Sequence, residues 1–229
     1  MLAPSKLFFE RTQKNSIYNI QPISNILSVV SHGILSYNRA AKMAHKSIAM
    51  SDVQSRRDNV VIPNGGHLHS YANAYFNPRN PMMYKRKDMA ETLCVLAISA
   101  LVLDCAGTII SDGNAASAYS RFYSPQDGIQ KLDFCEIYGQ WWLDEDSYEQ
   151  MKRKRIKCAE ILVPDVIAYE YIIGAIVVNE QARQELILQG FEKKLLSNQR
   201  HFFERPANKS QVEISDLRER QKDNTKSSR

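Results

Sequence analysis

Glu160 is the residue from which chemistry can first be argued. It lies in Cys158-Ala159-Glu160-Ile161-Leu162-Val163-Pro164-Asp165, directly after Lys152-Arg153-Lys154-Arg155-Ile156-Lys157. An ionised carboxylate buried without a partner is costly, so such a group neutralises, pairs or binds something. Two readings stand. Strand alternation can turn Glu160 towards water, or it is a catalytic carboxylate beside a cationic ramp that gathers a polyanion.

A second group is Asp52-Val53-Gln54-Ser55-Arg56-Arg57-Asp58. Asp52 is suited to cap a short helix with Arg57 on its last turn. An arginine pair there is either a solvated face or a contact to a phosphate or planar anion, which the guanidinium fork fits. Residues 63–87 mix Gly and Pro turns with His67, His69, Tyr71, Tyr75, Phe76, Tyr84, Arg79, Lys85, Arg86 and Lys87. That composition suits a buried loop with satisfied polar groups, or a surface that stacks unpaired bases and holds their phosphates. Pro78 and Pro81 argue against a long helix.

Cys94, Cys105, Cys135 and Cys158 form no CxxC pair, and His67 and His69 have no cysteine nearby. A zinc site is not expected, and the thiols read as reduced groups of a cytosolic protein. The 229 residues, 44% hydrophobic and 24% charged, suit a soluble domain with a sizeable core. A formal charge of +5 permits nucleic acid as a partner without requiring it. The longest apolar run, Leu93 to Leu103, falls well short of the roughly 20 residues that span a bilayer. No apolar signal core opens the sequence. The expectation is a cytoplasmic protein with no membrane partner.

Elements must then position these groups. Ser16 to Ile20 alternates as a short strand; Ser24 caps a helix through Ile26, Leu27, Val29 and Val30, stopped by Gly33. Glu91 to Asp104 reads as a buried strand with a turn at Ala106-Gly107. Asp112-Gly113 is a turn, and Asn114 to Phe122 is expected to start a helix. A further strand covers Ile172 to Val178, and a helix closed by Gly190 covers Gln181 to Gln189. Residues 1–15 read as a loosely ordered lead-in, 16–203 as one mixed α+β domain, and 204–229 as a charged, flexible tail.

Several strings in order resemble one family. They are Ile17-Tyr18-Asn19-Ile20, His32-Gly33-Ile34-Leu35, Asp52 to Arg57, and Gly65-Gly66-His67-Leu68-His69-Ser70-Tyr71. Tyr75-Phe76-Asn77-Pro78-Arg79-Asn80-Pro81-Met82-Met83-Tyr84, Ser111-Asp112-Gly113-Asn114-Ala115-Ala116 and Ala159 to Asp165 follow. Over about residues 16 to 190 the chain resembles DarT, the toxin of DarT–DarG toxin–antitoxin pairs. The resemblance implies an ADP-ribosyltransferase-like split mixed β-sheet with surrounding helices. It also implies NAD-dependent, metal-free ADP-ribosylation of a base, thymidine above all, in single-stranded DNA. A macrodomain antitoxin of the DarG type is the implied partner.

By that resemblance the catalytic residues are Glu160 and Arg57. Glu160 would hold the nicotinamide-ribose hydroxyls and stabilise charge at C1′ as nicotinamide leaves. A guanidinium is a poor proton acceptor, so Arg57 is assigned to the pyrophosphate and to the base anion. NAD-binding positions fall on Tyr18, Asn19, Ile20, Leu27 and Leu35, with Arg57. Asn19 and Asn114 stand where relatives carry His. DNA contacts are assigned to Tyr71, Tyr75, Arg79, Met82, Tyr84, Lys85, Arg86, Lys154 and Arg155. Modification of another base, RNA or protein, or nucleic-acid binding without catalysis, are the competing readings.

Overall fold

The computed structural model describes residues 2–48, 51–63 and 65–203. The expectation for the tail 204–229 falls outside them, as does that for the Asp52 side chain. The strands are β1 (Ser16–Pro22), β2 (Ile34–Leu35), β3 (Tyr71–Tyr75), β4 (Leu93–Ser99), β5 (Ile109–Ser111), β6 (Phe122–Tyr123), β7 (Glu160–Pro164), β8 (Val166–Ile167), β9 (Ile172–Val177) and β10 (Lys194–Ser197). The helices are α1 (Pro4–Thr12), α2 (Ile26–His32), α3 (Tyr37–Ala40), α4 (Ser51–Asp58), α5 (Pro81–Lys85), α6 (Pro125–Lys131), α7 (Phe134–Tyr138), α8 (Ser147–Ile156) and α9 (Glu180–Leu188).

One eight-stranded sheet runs β10-β9-β4-β1-β3-β7-β5-β6, and β2 and β8 form a two-stranded ribbon. The β9–β10 pair is parallel and the other pairs of the large sheet are antiparallel. The mixed α+β class expected from the strand and helix signals is therefore present. β1, β3 and β7 lie side by side at its centre, and the register sets Tyr18 opposite Tyr75 and Tyr75 opposite Glu160. Chain segments distant in sequence thus meet at one place on the sheet.

The residues before β1 are corrected from lead-in to structure. Pro4 occupies the first turn of α1, where its missing N–H is no loss, and Gln13 closes the helix in the left-handed region at φ 56°. Phe8 is fully buried; its ring lies 5.6 Å from Phe76 and 5.7 Å from Phe134. Ser5 donates to Asp104 through both its backbone N–H and its hydroxyl. A few apolar side chains suffice to dock so short a helix, and the polar residues between them masked that in the sequence.

Residues 114–121 turn instead of forming the expected helix. The Asn114 side chain accepts from the Ala116 N–H at 3.0 Å, and the Ser120 hydroxyl donates to the Asn114 carbonyl at 2.7 Å. Such local side-chain bonds offer the backbone an alternative to helix. α2 does end at Gly33, whose φ of 78° suits glycine; a Cβ there would lie 2.4 Å from the Ile167 carbonyl oxygen.

Truncating Phe8→Ala is expected to lower the unfolding free energy by about 3–5 kcal/mol, the usual cost of emptying an aromatic core site. Urea unfolding measures it. A loss under about 1 kcal/mol would return α1 to the status of a loose appendage.

Candidate active site

Glu160 opens β7 and is 1% exposed. The water-facing reading is thereby excluded. Its carboxylate receives four hydrogen bonds from three other parts of the chain. Arg57 Nη1 donates to Oε1 at 3.2 Å and to Oε2 at 3.1 Å. The Ala115 backbone N–H donates to Oε1 at 2.8 Å, and Asn73 Nδ2 to Oε2 at 3.3 Å. Arg57 is itself 11% exposed, so the pair is buried on both sides. A carboxylate held by so many donors is fixed in place to hydrogen-bond a ligand and to stabilise positive charge beside it.

The pair lies in the wall of a cleft of about 1300 Å³. Single drug-sized ligands occupy about 300–1,000 Å³, so this cleft has room for a dinucleotide and a second group. Of the residues assigned to NAD, Asn19, Ile20, Leu35 and Arg57 line it. Leu27 does not: it is 62% exposed on the outer side of α2. Tyr18 also lies outside the lining, packed with the cluster around Ile20 and Tyr75 and 6.0 Å from the His201 ring. Asn19 is buried; its Nδ2 donates to the Asn73 carbonyl at 2.9 Å. Its Oδ1 has no hydrogen-bond partner among the described residues. Asn114 lines the cleft too, but its side chain is turned back on Ala116.

Of the residues assigned to DNA, Tyr75, Met82, Lys85, Arg86, Lys154 and Arg155 line the cleft. Tyr75 is almost fully buried; burial foremost, and then Glu160, push its hydroxyl pKa up. The other three lie outside that lining. Tyr71 packs with the Ile62 and Leu68 cluster, and its hydroxyl accepts from the Gly66 N–H. Arg79 donates to the Phe202 carbonyl at 2.7 Å and lies 4.1 Å over the Phe203 ring. Tyr84 meets Phe203 and Trp142 edge-on. Side chains from outside residues 63–87 complete this packing, which composition within the loop does not disclose.

The first four cations of the ramp lie on α8. Lys152 pairs with Glu149, Arg153 with Asp144 and Arg155 with Asp112. Lys157 is buried and donates to the carbonyls of Glu136, Ile137 and Gly139, capping the end of α7. Lys154 is exposed and has no ion-pair partner among the described residues. Gly113 is what admits Arg155: a Cβ there would lie 2.6 Å from its Nη1.

Asn73 and the Ala115 N–H are functional groups that the sequence concealed. A backbone donor leaves no trace in composition, although the Asn114-Ala115-Ala116 string marked its neighbourhood. Among the described residues no group of three or more His, Cys, Asp and Glu is placed to hold a metal. No described helix is long and apolar enough to cross a membrane.

Residues 18–204 match the family model described as "ssDNA thymidine ADP-ribosyltransferase, DarT". The chain belongs to the DarT family. With membership comes NAD-dependent ADP-ribosylation of DNA. A relative from Thermus sp. (strain 2.9), a DNA ADP-ribosyl transferase, is 27% identical over 75% of this chain and 85% of its own. A Thermosipho africanus fusion of a DNA ADP-ribosyl transferase with a DNA ADP-ribosyl glycohydrolase is 27% identical; the match covers 80% of this chain and 46% of the fusion. The structure of Thermus sp. 2.9 DarT in complex with ADP-ribosylated ssDNA superposes with a TM-score of 0.73 at 24% identity, over 83% of this chain and 97% of that one. The same Thermus protein in complex with NAD+ gives 0.69 at 23% identity, over 82% and 98%. At those identities the superpositions establish the DarT fold.

His69 and His201 are both held below the ordinary histidine value of 6.5, in each case chiefly by burial and then by a neighbouring arginine, Arg57 or Arg79. The unfolded chain therefore binds more protons than the folded one just below pH 6.5. The melting temperature is expected to fall as pH drops through that value and to hold steady above it. His201→Gln should flatten the fall; an unchanged slope would contradict the assignment.

Proposed function

We propose that this chain transfers ADP-ribose from NAD to a thymine base of single-stranded DNA, with Glu160 and Arg57 as its catalytic residues. The observation that carries the reading is Glu160 itself, fixed by Arg57, Asn73 and the Ala115 N–H in the wall of a cleft sized for a dinucleotide.

The C1′–nitrogen bond to nicotinamide breaks and its electron pair leaves with nicotinamide. Positive charge builds on the ribose, and the preorganised carboxylate stabilises it. The thymine ring nitrogen then forms the new bond to C1′ and gives up its proton to solvent water at the open cleft. In the structure Arg57 Nη1 is committed to the carboxylate, so its first role is to orient Glu160; its remaining donors serve the base anion. This replaces the pyrophosphate contact as its leading assignment. Asn19 lines the cleft and is held by the Asn73 carbonyl, which places it in the wall against the NAD site.

An unpaired strand reaches such a cleft without the cost of unstacking a duplex. Met82, Lys85, Lys154 and Arg155 supply its apolar and cationic margin. The protein acts in the cytoplasm, beside a DarG-type macrodomain partner that removes the mark. The Thermosipho relative, which carries a DNA ADP-ribosyl glycohydrolase in the same chain, supports such a pairing.

Incubation with NAD and a thymidine-containing oligonucleotide is expected to add one ADP-ribose, read by mass spectrometry. Glu160→Gln should reduce the rate by at least about 10²–10³-fold. Modification of matched RNA or protein in place of the oligonucleotide would overturn the substrate assignment. Lys154→Ala should lower the salt slope of oligonucleotide binding by about one unit. An unchanged slope would remove Lys154 from the DNA path.

A further inference from the structure

We propose that His69 is a positioning residue for the transfer: it clamps α4 to the start of β3 and so sets where Arg57 meets Glu160. The inference rests on the reading of Arg57 and Glu160 as the catalytic pair.

The α4 residues from Val53 to Asp58 are half-buried or exposed, with no fully buried apolar face among them. His69 lies in the 3-10 turn Leu68–Ser70, immediately before β3, and is 5% exposed. Its Nε2 lies 2.9 Å from Gln54 Oε1 and its Nδ1 lies 3.3 Å from Asp58 Oδ1. Those two partners are four residues apart, one helical turn, with Arg57 beside the second of them. The ring stacks on Tyr37 of α3 at 4.1 Å and 28°, so it cannot turn away from α4. The clamp therefore joins Arg57's helix to β3, the strand that supplies Asn73 to the same carboxylate.

The groups that face the ring are Gln54, Arg57 and Asp58 from α4, Tyr37 from α3 and the neighbouring His67. Burial first and Arg57 second keep it neutral near pH 7, with Asp58 opposing them. A neutral ring donates to Asp58, and a half-turn of the Gln54 amide lets Nε2 accept in return. Acid adds a second positive charge beside Arg57 and disturbs the seat of the guanidinium.

The test compares His69→Phe and His69→Gln with the full-length protein on a thymidine oligonucleotide. Phe keeps the stack on Tyr37 and removes both polar links; Gln restores a neutral group near Nε2. His69→Phe is expected to lower kcat by about 10–100-fold with KM for NAD within about twofold, and His69→Gln to recover most of it. Wild-type kcat should fall in acid, on the low side of the ordinary histidine value, and lose that acidic limb in His69→Gln. The Arg57 Nε–H NMR signal should shift in His69→Phe and return in His69→Gln, with or without substrate. An unmoved Arg57 signal, or equal kcat in all three proteins, overturns the inference. If Phe prevents folding, His69→Gln paired with Gln54→Leu gives the same two readouts. Absence of transfer by the wild-type protein would count against the proposed function, while the Arg57 signal would still decide the clamp.

Discussion

The buried ion pair of Arg57 and Glu160 is the constraint on which the rest of the structure depends. Removing a carboxylate from water is tolerated only when donors replace the lost hydration. Here they come from α4, from β3 and from the loop after β5. The antiparallel register of β3 on β7 brings Asn73 within reach. The turn built by Asn114 aims the Ala115 N–H at the same group. Disturb any of the three segments and Glu160 is left under-satisfied in the wall of a wide cleft. Architecture and chemistry therefore share one requirement.

Much of this was legible in the sequence, for identifiable reasons. A Glu inside Ala, Ile, Leu and Val is compatible with burial, and the resemblance carried by the ordered motif strings implies Arg57 as its catalytic companion. Strand and helix at the ends of the domain followed ordinary periodicity, as β9 and α9 illustrate. The failures share a cause: they concern who touches whom across long separations. Lys157 is chemically like its neighbours in the basic run, yet it faces inward because the last carbonyls of α7 lie there. Arg79 and Tyr84 lie outside the cleft lining: Arg79 sits over Phe203, far along the chain, and Tyr84, still exposed, meets Trp142 and Phe203 edge-on. Phe8 makes α1 part of the core through Phe76 and Phe134.

The two cleft-lining asparagines, Asn19 and Asn114, behave differently. Asn114 spends its side chain on the backbone and shapes the turn that serves Glu160. Asn19 is held at one end by the Asn73 carbonyl and keeps a buried acceptor at the other. One side chain is spent on local structure, and the other keeps a buried acceptor without a partner among the described residues. Composition alone makes the two look alike.

The central claim is that Arg57 and Glu160 act as one buried unit, and a double-mutant cycle on folding stability tests it most directly. Arg57→Ala alone strands a buried carboxylate and should cost on the order of 3 kcal/mol, while adding Glu160→Ala should return part of that loss. A coupling of about 1–3 kcal/mol between the two sites is the predicted result. Strict additivity within about 0.5 kcal/mol would show that the two side chains do not depend on each other, and the account would fail.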